Sequence, residues 1–118
     1  MVLGGIRRRA AAHSAIWATV TGRSSTAAWA IYAVLLPDGI DRATVQDTLR
    51  AEGVPTAIYY PRPLHRQPAY RDHHDGAALP TSDYLADRIL ALPIHPDMDE
   101  AAACHVCDAV VAAVARRK

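Results

Sequence analysis

Trp29-Ala30-Ile31-Tyr32-Ala33-Val34-Leu35-Leu36-Pro37-Asp38-Gly39-Ile40-Asp41 sets the structural class of this chain. Its first eight residues are apolar on both faces, which predicts a buried strand rather than one with a wet side. Pro37-Asp38-Gly39 is turn chemistry, with proline fixing φ and glycine tolerating the left-handed region. Asp41 then stands where a helix N-cap belongs, and Val45 and Leu49 follow four apart on one face. The helix is expected to run to about residue 52, where Gly53 and Val54 make a Schellman-type stop. A buried strand, a tight turn and a capped amphipathic helix in succession mark an α/β chain.

The pattern continues downstream. A second strand is expected at 56–60, ended by Pro61. Residues 62–80 are rich in Pro, His, Asp and Gly and read as a long irregular loop, a length that in compact domains goes with function or disorder. Thr81 or Ser82 can cap a short helix carrying Tyr84, Leu85 and Ile89. A third strand is expected at 91–94, with Pro93 marking an edge or a strand end. Asp97 and Glu100 form a capping-box-like pair before a last helix. In that helix Ala103, Val106, Cys107, Val110 and Val114 make one apolar stripe, and Arg116, Arg117 and Lys118 complement the dipole at its end.

Upstream, Ile6, Ala10, His13, Trp17 and Val20 recur at helical spacing, so a helix is expected over 6–20, broken by Thr21-Gly22-Arg23-Ser24-Ser25. The predicted order is αβαβαβα without internal repeats. It suits an α/β fold of the α+β sandwich kind, a short sheet covered by helices.

Composition narrows the function. At 118 residues the chain fits one domain, and 51% apolar with 21% charged residues is a soluble globular profile. A formal charge of +1 gives no strong pull toward nucleic acid or anionic membrane, and neither partner is expected. No segment approaches the roughly 18 apolar residues of a membrane span. Arg7-Arg8-Arg9 follow the first apolar residues, the reverse of a signal peptide, and a cytoplasmic location is expected. Of the thirteen basic residues only Lys118 is a lysine.

Three clusters could carry chemistry. Cys104-His105-Val106-Cys107 contains a CxxC, but a structural zinc site needs four ligands, and haem attachment needs the histidine after the second cysteine. On a helix Cys107 belongs to the buried stripe, so packing is the expected role. Asp72-His73-His74-Asp75 has ligand-type side chains, but adjacent residues rarely point at one ion, and a solvated polar loop is expected. No metal site is assigned. The densest stretch is Ile58-Tyr59-Tyr60-Pro61-Arg62-Pro63-Leu64-His65-Arg66-Gln67-Pro68-Ala69-Tyr70. Its prolines keep it extended and stiff, so polar side chains can be held over a pocket at low entropic cost. Arginine suits phosphate or carboxylate, and tyrosine presents an apolar ring with a donor at its tip. The residues alone equally admit a Pro-rich crossover whose aromatic rings only pack.

A family resemblance enters on that stretch and its surroundings. Trp29-Ala30-Ile31-Tyr32, Gly53-Val54-Pro55-Thr56, Tyr60-Pro61 with Pro63-Leu64-His65 and Gln67-Pro68-Ala69-Tyr70, Leu79-Pro80, and Leu90-Ala91-Leu92-Pro93-Ile94-His95-Pro96 form one ordered series. The series, over about residues 27–115, resembles the C-terminal part of the DegT/DnrJ/EryC1/StrS aminotransferases, pyridoxal-phosphate enzymes that aminate keto-sugars, commonly nucleotide-linked ones. The resemblance implies a helix and linker over 1–26 and the small C-terminal domain of a fold type I aminotransferase over 27–118. It also implies that the Schiff-base lysine and the pyridoxal 5'-phosphate belong to a large N-terminal domain. The chain alone is then expected to bind no cofactor and to be inactive, with a companion chain or a homodimer as possible protein partners. Tyr59, Tyr60, Arg62 and His65 are implied as contacts for a nucleotide-sugar, with a structural contact as the alternative for Arg62 and His65, and none is assigned a catalytic role. A non-catalytic sugar-nucleotide-binding or interaction module is the alternative.

Overall fold

The structure, a computed structural model, describes residues 17–18 and 30–116. Strand β1 (Trp17–Ala18) pairs with β2 (Tyr32–Leu35), which pairs with β3 (Ile89–Leu92), so the sheet order is β1-β2-β3 and both pairings are antiparallel. Helix α1 (Arg42–Ala51) follows β2, α2 (Pro80–Arg88) precedes β3, and α3 (Glu100–Ala115) closes the described chain. The result is a small α/β unit.

Period-two alternation builds the sheet's inner face. Tyr32, Val34 and Leu36 from β2 and its extension, and Leu90 and Leu92 from β3, all enter one core cluster. Register sets Tyr32 opposite Leu92 and Val34 opposite Leu90, so the inward side chains meet as cross-strand pairs. Onto this face pack Val45 and Leu49 of α1, Val54, Met98, and the α3 stripe Ala103, Val106, Cys107, Ala109, Val110, Ala113 and Val114. Every residue of the stripe expected from sequence is buried.

Helix α1 forms as its termini require. The Asp41 carboxylate accepts from the Thr44 backbone N–H at 2.9 Å and from the Thr44 hydroxyl at 2.6 Å. These bonds, the hydroxyl first, hold the Asp41 pKa below its ordinary value. At the other end Gly53 has φ +75°, the Val54 N–H donates to Leu49 C=O at 2.8 Å and the Gly53 N–H to Arg50 C=O at 3.1 Å. This is the Schellman motif, and glycine is there because an L side chain resists that φ. His105 of α3 lies with Nε2 2.9 Å from the Glu52 carbonyl and ties the two helices together at this end.

Several expectations are corrected. Trp17–Ala18 is a strand rather than part of a helix over 6–20, because its backbone pairs with Leu35 and Val34; the rest of that expected helix lies outside the described residues. The strand expected at 56–60 reduces to a single bridge, Ala57 to Ala91, since prolines at 55 and 61 leave no room for a ladder. The chain between Arg62 and α2 is not wholly irregular, for it holds two 3₁₀ turns, Leu64–Arg66 and Arg71–His73. Neither Thr81 nor Ser82 caps α2. Leu79 is the N-cap without a side-chain bond, and Pro80, whose φ is preset, is the first helical residue. Ile89 starts β3 instead of ending α2, and β3 stops at Leu92, just before Pro93. Asp99 rather than Asp97 caps α3, accepting from Ala102 N–H at 2.7 Å. Arg116 stands at its C-cap, and residues 117–118 lie outside the described residues.

Candidate functional site

The chain leaves the core at Val54 and meets the free edge of β3 at Ala57. The Ala57–Ala91 bridge, with N–H donors in both directions at 3.1 and 2.8 Å, fixes this meeting point. Beyond the bridge the next side chains hang from a segment that has left the ladder. Tyr59 and Tyr60 are 49% and 73% exposed, and their rings meet edge to face with centroids 6.3 Å apart. Tyr59 helps line a shallow cavity of about 280 Å³, together with Ile31, Pro55, Ala57, Ala91 and Pro93.

Arg62 is exposed and forms no ion pair with another described residue. Its carbonyl accepts from the Gln67 side-chain amide at 3.0 Å, which folds residues 62–67 into a compact turn. Tyr59, Tyr60 and Arg62 thus present two phenol rings and a guanidinium to solvent from a braced segment. Such a set can stack on a flat or apolar ring and hold an anionic oxygen.

His65 behaves differently. Its imidazole is 12% exposed, with Nε2 3.2 Å from Asp83 Oδ1, and its ring lies 5.2 Å, centroid to centroid, from that of His74. The same Asp83 accepts from Arg66 Nη2 at 2.8 Å. The four residues implied by the resemblance therefore divide into an outward set of three and one that faces the protein. Asp83 was missed in the sequence because 17 and 18 residues separate it from its partners Arg66 and His65, and no helical or strand period spans that gap.

Of the other clusters, the cysteine pair sits on α3 as expected, and the 72–75 loop is only partly solvated. Cys107 is buried in the α3 stripe, and no disulfide joins it to Cys104. No group of three or more His, Cys, Asp or Glu residues suited to a metal occurs among the described residues. His74 is turned inward, its Nδ1 accepting from Gly76 N–H at 2.9 Å, while Asp72 and Asp75 face solvent. No helix among the described residues is long and apolar enough to cross a membrane.

Two solved aminotransferases share this architecture over almost all of the chain. A DegT DnrJ EryC1 StrS aminotransferase from Brucella abortus superposes with a TM-score of 0.76 at 32% identity, over 94% of this chain and 30% of that one. S. venezuelae DesV superposes with a TM-score of 0.84 at 27% identity, over 99% of this chain and 31% of that one. In sequence, 70 residues are 44% identical to UDP-2-acetamido-2-deoxy-3-oxo-D-glucuronate aminotransferase of Pseudomonas aeruginosa, which is 59% of this chain and 19% of the relative. The match to the family model spans residues 8–111, and the chain belongs to the DegT/DnrJ/EryC1/StrS aminotransferase family. It spans about a fifth of the length of that curated relative and under a third of the solved structures.

The described residues do not by themselves fit pyridoxal phosphate. They include no lysine to form an imine with the cofactor aldehyde. Among the described residues, the shallow cavity beside Tyr59 is lined by apolar side chains and Thr56, with no cation for a phosphate.

Proposed function

We propose that this chain is the C-terminal small-domain portion of a pyridoxal-phosphate-dependent aminotransferase acting on a nucleotide-linked keto-sugar. In this reading residues 27–118 are the small domain of a fold type I enzyme and 1–26 lead into it. The reading rests on one observation above the rest: the superposition with S. venezuelae DesV takes in 99% of this chain but 31% of that enzyme. The identity with a UDP-sugar aminotransferase supports the substrate class.

The cofactor and its lysine then lie elsewhere in the enzyme, on the same polypeptide, a companion chain or a second subunit. The segment described here contributes binding. Tyr59 and Tyr60 offer ring faces to the sugar or its base, with hydroxyl groups as donors, and Arg62 offers a fork of N–H donors to a phosphate or carboxylate. His65 acts from beneath by holding the turn that follows Arg62. The reaction is cytoplasmic, where nucleotide-sugars are used.

The test is a chimera in which residues 27–118 replace the matching segment of the P. aeruginosa aminotransferase. We expect it to bind pyridoxal phosphate and to aminate its UDP-sugar. A folded, cofactor-loaded chimera without turnover would overturn the reading. So would a visible cofactor band, abolished by borohydride, on the 118-residue chain alone. Saturable binding of a UDP-sugar to the lone chain, together with an inactive chimera, would instead favour a non-catalytic binding module.

A further inference from the structure

We propose that Asp83, in the first turn of α2, is a positioning residue that fixes the Arg62-bearing turn through His65 and Arg66. The proposal rests on the reading of Tyr59, Tyr60 and Arg62 as substrate-facing. It adds a residue in a different element, whose side chain touches no candidate substrate group.

The hydrogen-bond pattern of the segment singles out this residue. Every backbone hydrogen bond of residues 62–79 to another described residue stays within the segment, except that the Leu79 carbonyl accepts from the Asp83 N–H at 3.1 Å. The side-chain bonds of Gln67, His74 and Asp75 are internal to it as well. The polar contacts that leave it converge on one carboxylate. Asp83 Oδ2 accepts from Arg66 Nη2 at 2.8 Å, and Oδ1 lies 3.2 Å from His65 Nε2.

Oδ1 is buried and makes no well-directed hydrogen bond to another described residue, and the His65 imidazole at 3.2 Å is the polar group set beside it. The Asp83 side chain is 25% exposed, which screens this contact less than an ordinary surface pair. Two successive residues of one turn meet the two oxygens of one carboxylate, Arg66 through a hydrogen bond and His65 through a close polar contact, and together they restrict its orientation more than either alone.

From that grip the constraint runs both ways along the chain. Toward the N-terminus, Arg66 N–H donates to Pro63 C=O at 3.0 Å and the Gln67 amide to Arg62 C=O at 3.0 Å, so Arg62 moves with the turn. Toward the C-terminus, the His65 ring rests on His74, whose Nδ1 holds Gly76 N–H. Without Asp83, residues 62–76 would remain folded on themselves but be loosely docked.

Amide hydrogen exchange on the full 118-residue chain tests the anchor, comparing wild type with D83N, D83E and His65→Gln. In D83N the amides of 62–76 should exchange roughly tenfold faster while those of β2 and β3 keep their rates. His65→Gln should give a smaller change in the same amides, and D83E should restore part of the protection. Unchanged exchange in 62–76, or acceleration spread evenly over the sheet, would overturn the proposal.

In the chimera described above, D83N should raise KM for the UDP-sugar several-fold with kcat held, and D83E should recover it. A loop that loosens without moving KM would overturn the positioning role. Should the wild-type chimera lack turnover, the proposed function fails, while the exchange comparison still decides the anchor.

Discussion

Helices α1 and α2 are almost the same length, yet they are held by different means. α1 is capped by Asp41, stopped by Gly53, and sinks Val45 and Leu49 into the core. α2 has no side-chain cap and buries only Ala86, while Tyr84 and Leu85 remain about two-fifths exposed. What holds α2 is at its ends: Pro80 at the start, and at the finish an Arg42 guanidinium donating to the Ala86 and Ile89 carbonyls at 2.5 and 3.2 Å. Arg88 adds an ion pair to Asp38 at 2.7 Å and lies over the Tyr84 ring. One helix is a wall of the core. The other is a bracket, and the segment bearing the candidate site hangs from it.

The sharpest way to break this contrast is to truncate one leucine in each helix. Leu49 is fully buried, and Leu49→Ala should cost about 2–5 kcal/mol, enough to threaten folding of so small a domain. Leu85→Ala on α2 should cost less than about 1 kcal/mol, because its side chain is 42% exposed. Urea unfolding followed by circular dichroism gives both values. Equal losses would mean that α2 carries core load after all.

A smaller effect separates backbone from packing in α1. A Cβ at Gly53 would meet nothing within 4 Å, so Gly53→Ala suffers only from the positive φ. A loss of about 1 kcal/mol is expected, and Gly53→Asn should lose less, since asparagine tolerates that region better. An unchanged midpoint in urea would show that the Schellman stop can rearrange without cost.

The smallest effect is electrostatic. Bonds to Thr44 hold the folded-state pKa of Asp41 below its ordinary value, so the carboxylate adds stability above that ordinary value and loses it as pH falls through the lowered folded pKa. Asp41→Asn keeps a capping oxygen and removes the titration. The stability difference between wild type and Asp41→Asn should therefore shrink as urea unfolding is repeated from about pH 6 down to about pH 2.5. A difference that is flat across that range would mean that the cap does not depend on ionisation.

The same contrast explains what could be read from the sequence. Asp41, Val45, Leu49 and Gly53 act within one helix, and the α3 stripe repeats every three or four residues, so local period and cap chemistry reveal them. The strand at 32–35 was legible as an apolar run, with boundaries set too wide. The segment around Ala57 misled because its β-type residues suggest a ladder that the flanking prolines prevent. The cap of α3 was displaced by two residues because Asp97 and Asp99 are equally able acceptors, and the burial of Met98 between them sets the helix start. At the candidate site, Tyr59, Tyr60 and Arg62 stood out by type and by resemblance. The partition between outward residues and the inward His65 did not, because it depends on Asp83 in another element.

Helix α2 passes into β3 with no intervening residue, since Arg88 ends one and Ile89 begins the other. Two periodicities are thereby geared together. Adding one residue at this joint would rotate the helix by about 100° or exchange the inner and outer faces of the strand. Arg42 holds the carbonyls on both sides of the joint, and Leu36 N–H donates to Arg88 C=O at 3.0 Å, which leaves no play. Variation in chain length among relatives should therefore gather in residues 77–79, beyond the contacts of His74 and before Pro80. There the chain can lengthen without changing the phase of the helix, the strand or the turn that carries Arg62.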